Sequence, residues 1–222
     1  MPTQSPDQTD LTDLVSVEQF LALPSGNPDE GLLQSLITAV SAEVVTYCER
    51  GFMSQSYTEI RNGNGQDAMS FLNPPCTSLG SLTINTVPIE PAPDSLSSGY
   101  SFDAERIYVR GLPGSGPSSA FNFGRIVFEP GLQNVTIVYT AGYFTPGQKA
   151  VGQSQPAGVA PLPADLWMAA TELAALRYRQ SKRWGDTGFG VGAERVNYFV
   201  GDMPAATRLK LDRYRRVAPI ET

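Results

Sequence analysis

Several groups of residues in this chain have types and spacing that could do chemistry. Asp103 and Glu105 alternate on one strand-like run, so both carboxylates would share a face. That is the geometry of a glycosidase pair or a hard-cation site. Asp29 and Glu30 also stand together, but they open a helix, where acids complement the dipole. Gly111–Ser119 (GLPGSGPSS) has the glycine density of a phosphate loop but lacks its Gly-Lys-Ser/Thr ending, and Pro113 and Pro117 remove amides a phosphate would need. Gly188-Phe-Gly-Val-Gly192 is half a dinucleotide fingerprint, yet it follows a helix and not a strand, so Gly185–Gly192 reads as a flexible loop. Arg177, Arg179, Lys182 and Arg183, with Tyr178 and Trp184 interleaved, offer phosphate contacts and stacking. Arg177 and Lys182 nevertheless fall on a different helical face from Arg179.

The composition weighs against catalysis. Histidine is absent, which removes the commonest general base and metal ligand. Cys48 and Cys76 form no Cys-x-x-Cys pair and read as two reduced thiols. The expectation is a non-enzyme with no cofactor, no metal site and no catalytic residues. The N-terminus has neither a basic nor an apolar leader segment, and no apolar run approaches the ~18–20 residues of a spanning helix. A cytoplasmic protein, or a particle assembled in a host cytoplasm, is expected, without membrane contact.

Net charge is -6, unevenly spread. Residues 1–50 carry Asp7, Asp10, Asp13, Glu18, Asp29, Glu30, Glu43 and Glu49 against Arg50 alone. Residues 177–216 carry Arg177, Arg179, Lys182, Arg183, Arg195, Arg208, Lys210, Arg213, Arg215 and Arg216 against Asp186, Glu194, Asp202 and Asp212. An acidic front and a basic back suit head-to-tail neighbours, or are simply solvated helix faces.

The elements that must position these residues come in three blocks. Residues 1–15 are polar and read as a mobile arm. Ser16 and Gln19 form a capping-box start for a short helix ending at Pro24. Asn27 caps a long helix that stops at Gly51, with Leu33, Leu36, Ile37, Val40, Val44, Tyr47 and Cys48 at helical spacing. The period then changes. Tyr57–Ile60 and Ala68–Leu72 read as a hairpin around Asn64-Gly65, followed by strand-like runs at Leu79–Val87, Tyr100–Val109, Arg125–Phe128 and Val135–Ala141. Long Pro/Gly/Ser loops at 88–99, 111–124 and 145–162 separate them. A helix resumes at 163–183, with Leu166 and Leu173 facing Leu36, Ile37, Val40 and Val44. Asp202 caps a last helix, Pro204–Arg215. The fold class expected is α+β: a helical bundle core built from both chain ends (16–51 and 163–222) with a small β-rich region, 52–162, inserted.

The order of these signals resembles the head–tail connector (adaptor) family of long-tailed bacteriophages and gene transfer agents. The matching pieces begin with Leu14-Val-Ser-Val-Glu-Gln-Phe-Leu, Leu32-Leu33…Ile37…Ala39…Ala42 and Cys48-Glu-Arg-Gly-Phe-Met53. They continue with Tyr57-Thr-Glu, Asn73-Pro-Pro-Cys-Thr-Ser-Leu, Val138-Tyr-Thr-Ala-Gly-Tyr143, Leu162-Pro-Ala-Asp-Leu166 and Leu211-Asp-Arg-Tyr-Arg-Arg-Val217. The long loops depart from the compact family pattern. The resemblance implies a structural role in the virion neck, as a dodecameric ring between the portal and a stopper or tail-terminator protein. DNA would pass non-specifically through its lumen. It also points to the C-terminal segment as the portal-binding part, carried here by Arg208, Leu209, Lys210, Leu211, Arg213, Tyr214, Arg215, Arg216 and Val217. The charge asymmetry suggests Glu43, Glu49, Arg179 and Arg183 at the subunit interface. The alternative is a nucleic-acid-binding protein using the basic C-terminal third.

Overall fold

The structure, a computed structural model, describes residues 5–94, 96–111, 126–183, 188–191, 194–197 and 203–216. Its helices are α1 (Leu14–Leu21), α2 (Glu30–Cys48), α3 (Pro146–Ala150), α4 (Ala164–Ser181) and α5 (Ala205–Asp212). Its strands are β1 (Gln55–Gly63), β2 (Ala68–Ser70), β3 (Cys76–Ile84), β4 (Val87–Ile89), β5 (Gly99–Phe102), β6 (Arg106–Arg110), β7 (Gly131–Ala141), β8 (Gly188–Val191) and β9 (Glu194–Asn197). The chain is thus mixed α+β. It divides into two compact units, one holding residues 1–52, 144–156 and 161–216, the other 53–143, 157–160 and 217–222.

In the first unit α2 packs on α4, with α1 and α5 against both. The α2 stripe is Leu33, Ile37, Val40, Val44 and Cys48, all buried at helical spacing. Leu36, expected in this core, is only half-buried because it lies off that stripe. Opposite stand Leu166, Ala169, Ala170, Leu173 and Ala174 of α4, where the alanines let α2 approach closely. α2 is long and apolar enough to cross a membrane by composition alone, but its apolar stripe is consumed in this packing.

The helix ends differ from expectation in instructive ways. Asp13, not Ser16, caps α1, its carboxylate accepting from the Ser16 amide at 2.8 Å. The Asn27 side chain does accept the Asp29 amide at 2.8 Å, but helical structure opens at Glu30. At the far end Glu49, not Gly51, takes the left-handed conformation (φ 56°), and the Arg50 amide reaches back to the Val45 carbonyl. The expected arm is not free from Asp7 onward: Asp7 lies against Gly147, and the Thr145 hydroxyl donates to the Gln8 carbonyl. Leu11 is fully buried, its amide donates to Ser41 Oγ at 2.9 Å, and Gln34 donates to Asp10 at 2.8 Å. A buried apolar anchor and its long-range hydrogen bonds outweigh the polarity of the segment. The expected loop 145–162 contains α3, opened by a Thr145–Gln148 capping box. Of the expected flexible stretch Gly185–Gly192, residues 188–191 form strand β8, paired with β9; the rest of that stretch, Asp202 and residues 112–124 of the expected loop 111–124 lie outside the described residues.

The second unit is a pair of antiparallel sheets, ordered β1-β7-β3-β4 and β2-β6-β5. The expected hairpin of Tyr57–Ile60 with Ala68–Leu72 does not form. β1 pairs with β7, while β2 pairs with β6 in the other sheet. Asn64 does make the turn, but the chain changes sheets there. Of the expected run Arg125–Phe128, Arg125 lies outside the described residues, and 126–128 supply buried Ile126 and Phe128 without a strand. Val135, Ile137, Tyr139, Leu82, Ile84, Ile107 and Phe128 share one core. The buried Glu59 carboxylate accepts from the Tyr139 hydroxyl and, at 3.0 Å, from the Leu72 amide, which ties β1 to the turn after β2. The sheet's outer face is read from the register. Its rows run Ser56–Thr140–Ser78, Thr58–Val138–Ser81 and Ile60–Thr136–Thr83 across β1, β7 and β3.

Candidate assembly surface

The acidic front and the basic back of the helical unit meet within one chain. Arg177 on α4 donates to both carboxylate oxygens of Glu43 on α2 at 3.0 Å. Lys182 reaches Asp29 at 2.7 Å, Lys210 reaches Glu172 at 2.8 Å, and Arg215 reaches Glu49 at 3.5 Å. Glu43 and Glu49, expected to meet bases of an adjacent subunit, therefore have partners in their own chain. The pairs range from half-buried to exposed, and solvent-accessible pairs of this kind contribute only ~0–1 kcal/mol each. Their collective effect is registry between helices from the two ends of the chain.

Tyrosines reinforce these links. Tyr178 donates to Asp29 at 2.7 Å, Tyr47 to Asp212, and Tyr214 to Asp165. The Lys182 ammonium, and after it the Tyr178 hydroxyl, hold the Asp29 carboxyl below its ordinary value. The same carboxylate raises Tyr178. Asp29, Asp165, Glu172 and Asp212 were not singled out as partners. Helical spacing placed them on faces, but tertiary packing alone chose their neighbours.

The C-terminal residues expected to bind a partner split into two groups. Leu211 is fully buried, and Lys210 and Tyr214 are engaged as described. The Arg216 amide donates to the Cys48 carbonyl at 2.8 Å, satisfying an orphan acceptor at the end of α2. Arg208, Leu209 (69% exposed), Arg213, Arg215 and Arg216 present side chains to solvent. Val217 lies outside the described residues. Arg179 and Arg183 are exposed at the C-terminal end of α4.

The acid pair Asp103 and Glu105 shapes a turn. Asp103 accepts the Glu105 and Arg106 amides at 2.7 Å each and the Tyr108 hydroxyl at 2.8 Å. The Glu105 amide, then the Tyr108 hydroxyl and the Arg106 amide, hold its carboxyl low, opposite to what a general acid needs. Cys48 and Cys76 are both free and buried, and burial pushes each thiol up to about 11. Among the described residues no cluster of three or more His, Cys, Asp or Glu has metal-holding geometry.

No family model and no curated protein matches the sequence. The fold does match solved structures over nearly its whole length. A chain of the neck of an empty GTA particle, computed with C6 symmetry, is 16% identical with a TM-score of 0.51, covering 99% of this chain and 97% of that one. A chain of the neck of a native GTA particle, computed with C12 symmetry, is 16% identical with a TM-score of 0.51, covering 99% and 96%. A chain of the virion of a native gene transfer agent particle is 17% identical with a TM-score of 0.51, covering 98% and 96%. At these identities the likeness is one of fold.

Proposed function

We propose that this chain is a structural head–tail connector (adaptor) in the neck of a phage-type or gene-transfer-agent particle. The observation that carries the reading is the fold likeness to neck components, which extends over nearly the whole of both chains. The order of sequence signals points to the same family independently. In this reading the helical core comes from both chain ends, and the β-rich insertion, expected at 52–162, is the compact unit of 53–143 and 157–160, with 144–156 returned to the helical unit. The chain forms a ring homo-oligomer, a dodecamer by resemblance, between the portal and a stopper or tail-terminator protein, with DNA passing non-specifically through the lumen. Its role is structural and not enzymatic.

The outward side chains of the C-terminal segment, Arg208, Leu209, Arg213, Arg215 and Arg216, contact the portal. Lys210, Leu211 and Tyr214 hold that segment in place. Arg179 and Arg183 are the charged contribution to neighbouring surfaces. Purified protein, alone and mixed with its portal, tests the reading by negative-stain imaging and sedimentation. Rings with a central channel that cap the portal are expected. A monomer indifferent to portal, binding DNA with an affinity that decreases steeply with salt, would instead support the nucleic-acid alternative.

A further inference from the structure

Asp10 is a buried carboxyl group with no counter-charge among the described residues. It is 1% exposed and belongs to the strap of residues 7–12 that crosses the helical unit ahead of α1. Its Oδ2 accepts the Asp7 amide at 2.9 Å and the Gln34 side chain of α2 at 2.8 Å. Its Oδ1 is buried without a hydrogen-bond partner. The side chains acting on the carboxyl are Asp7 on the strap itself and Gln34 and Thr38 on α2. Of these only Asp7 is charged, and its sign is the same. From α3 the Gly147 amide donates to the Asp10 carbonyl at 3.0 Å, while Lys149 is exposed. Helix α4 meets the strap through neutral groups, the Thr12 and Thr171 hydroxyls at 2.7 Å. Burial, with the Asp7 charge adding to it, pushes the Asp10 carboxyl above its ordinary value of 3.8, against the pull of the Asp7 amide, Thr38 and Gln34.

We infer that residues 7–12 form a proton-gated strap, closed on α2 and α3 while Asp10 is neutral and opening locally once it is ionised. Part of the hold does not depend on the proton. Leu11 is fully buried with its amide on Ser41 Oγ at 2.9 Å, and Thr12 binds Thr171. Asp10 supplies the part that does. A neutral carboxyl loses little by leaving water for this site, whereas an ionised one regains its hydration when the strap lifts. Closing therefore takes up a proton and opening releases it. The stabilisation of the closed strap is fully present below the ordinary value of 3.8 and is lost as pH rises through the raised closed-state value. Because α2 packs directly on α4, the strap can lift while the helices beneath it stay in place. The gate belongs to the single subunit, whatever that subunit assembles with.

Amide hydrogen exchange of the full chain, followed by NMR between about pH 4 and about pH 8, compares wild type with Asp10→Asn. Protection factors divide out the intrinsic pH dependence of exchange. They are read at Leu11 and Gly147, whose amides bond across the strap, and at Val40 in the α2 core. In wild type, protection at Leu11 and Gly147 should decrease by up to about tenfold per pH unit above the closed-state value, as one proton requires, while Val40 holds. Asp10→Asn keeps the shape of the side chain and cannot ionise. It should hold both amides at a pH-independent level, above wild type at the alkaline end. The carboxyl carbon shift of Asp10 in wild type, which needs no variant, should titrate with a midpoint above 3.8. Flat protection at both amides in wild type, or the same slope in Asp10→Asn, would overturn the gate. A carboxyl midpoint at or below 3.8 would overturn it too, since the ionised form would then be at home in the closed strap.

Discussion

Leu211→Ala decides whether the C-terminal helix belongs to the folded subunit or hangs free of it. Leu211 is fully buried where α5 meets α2 and α4, and the Cys48 thiol faces its carbonyl at 3.7 Å. Truncating a fully buried leucine costs ~2–5 kcal/mol, the spread reflecting how far the cavity collapses. Leu209→Ala, two residues away but 69% exposed, should stay within ~0.5 kcal/mol. With a urea slope of ~1–3 kcal/mol per molar, the Leu211 variant should lose about 1–2 M in midpoint. Tryptophan fluorescence is a suitable probe because Trp167 stands on α4, against which α5 packs. Equal and negligible effects at both positions would refute the docking of α5 and leave the C-terminal segment free of the folded subunit. Truncation after Asp202 should then be harmless to folding. On the present structure it is destabilising, because it strips the partners of Glu172, Asp165 and the Cys48 carbonyl.

Other expectations are equally direct. Leu173→Ala should cost ~2–5 kcal/mol in urea unfolding, and half-buried Leu36→Ala clearly less. Tyr139→Phe leaves the buried Glu59 short of a donor and should cost ~1–3 kcal/mol, read as a lower thermal midpoint of the β unit. Gly147→Ala should destabilise the helical unit, since a Cβ there would sit 2.0 Å from the Asp7 carbonyl oxygen, and thermal melts measure it. Asp29 is held low by Lys182 and Tyr178, so its contribution is present above the ordinary carboxylate value of 3.8 and lost as pH falls through its lowered folded value. Asp29→Asn should flatten that part of the acid limb of a thermal-midpoint titration.

What the residues reveal by themselves follows their range of action. The long helices were legible because their apolar spacing and caps are local. The α2 stripe was read with Leu33, Ile37, Val40, Val44 and Cys48 on it, and half-buried Leu36 was wrongly added to the core. Glu49 in the left-handed conformation was not legible, because glycine at 51 is the commoner stop and only packing overrides it. Strand pairing was the larger miss. Asn64-Gly65 is a strong hairpin signal, yet β1 finds β7 some seventy residues later, a choice that depends on the shared core with Ile137 and Tyr139. The Thr145–Gln148 capping box was present to be read but lay inside a Gly/Pro-rich stretch. Charge distribution was visible. The partners of Glu43 and Glu49 were not, because proximity of the chain ends is a tertiary fact.

Imaging of the purified protein bound to its portal tests the proposed neck ring. A closed ring with an open axial channel, seated coaxially on the portal, is expected. Arg208→Glu with Arg213→Glu should abolish seating while leaving the subunit folded. A monomer that neither closes a ring nor recognises the portal would contradict it.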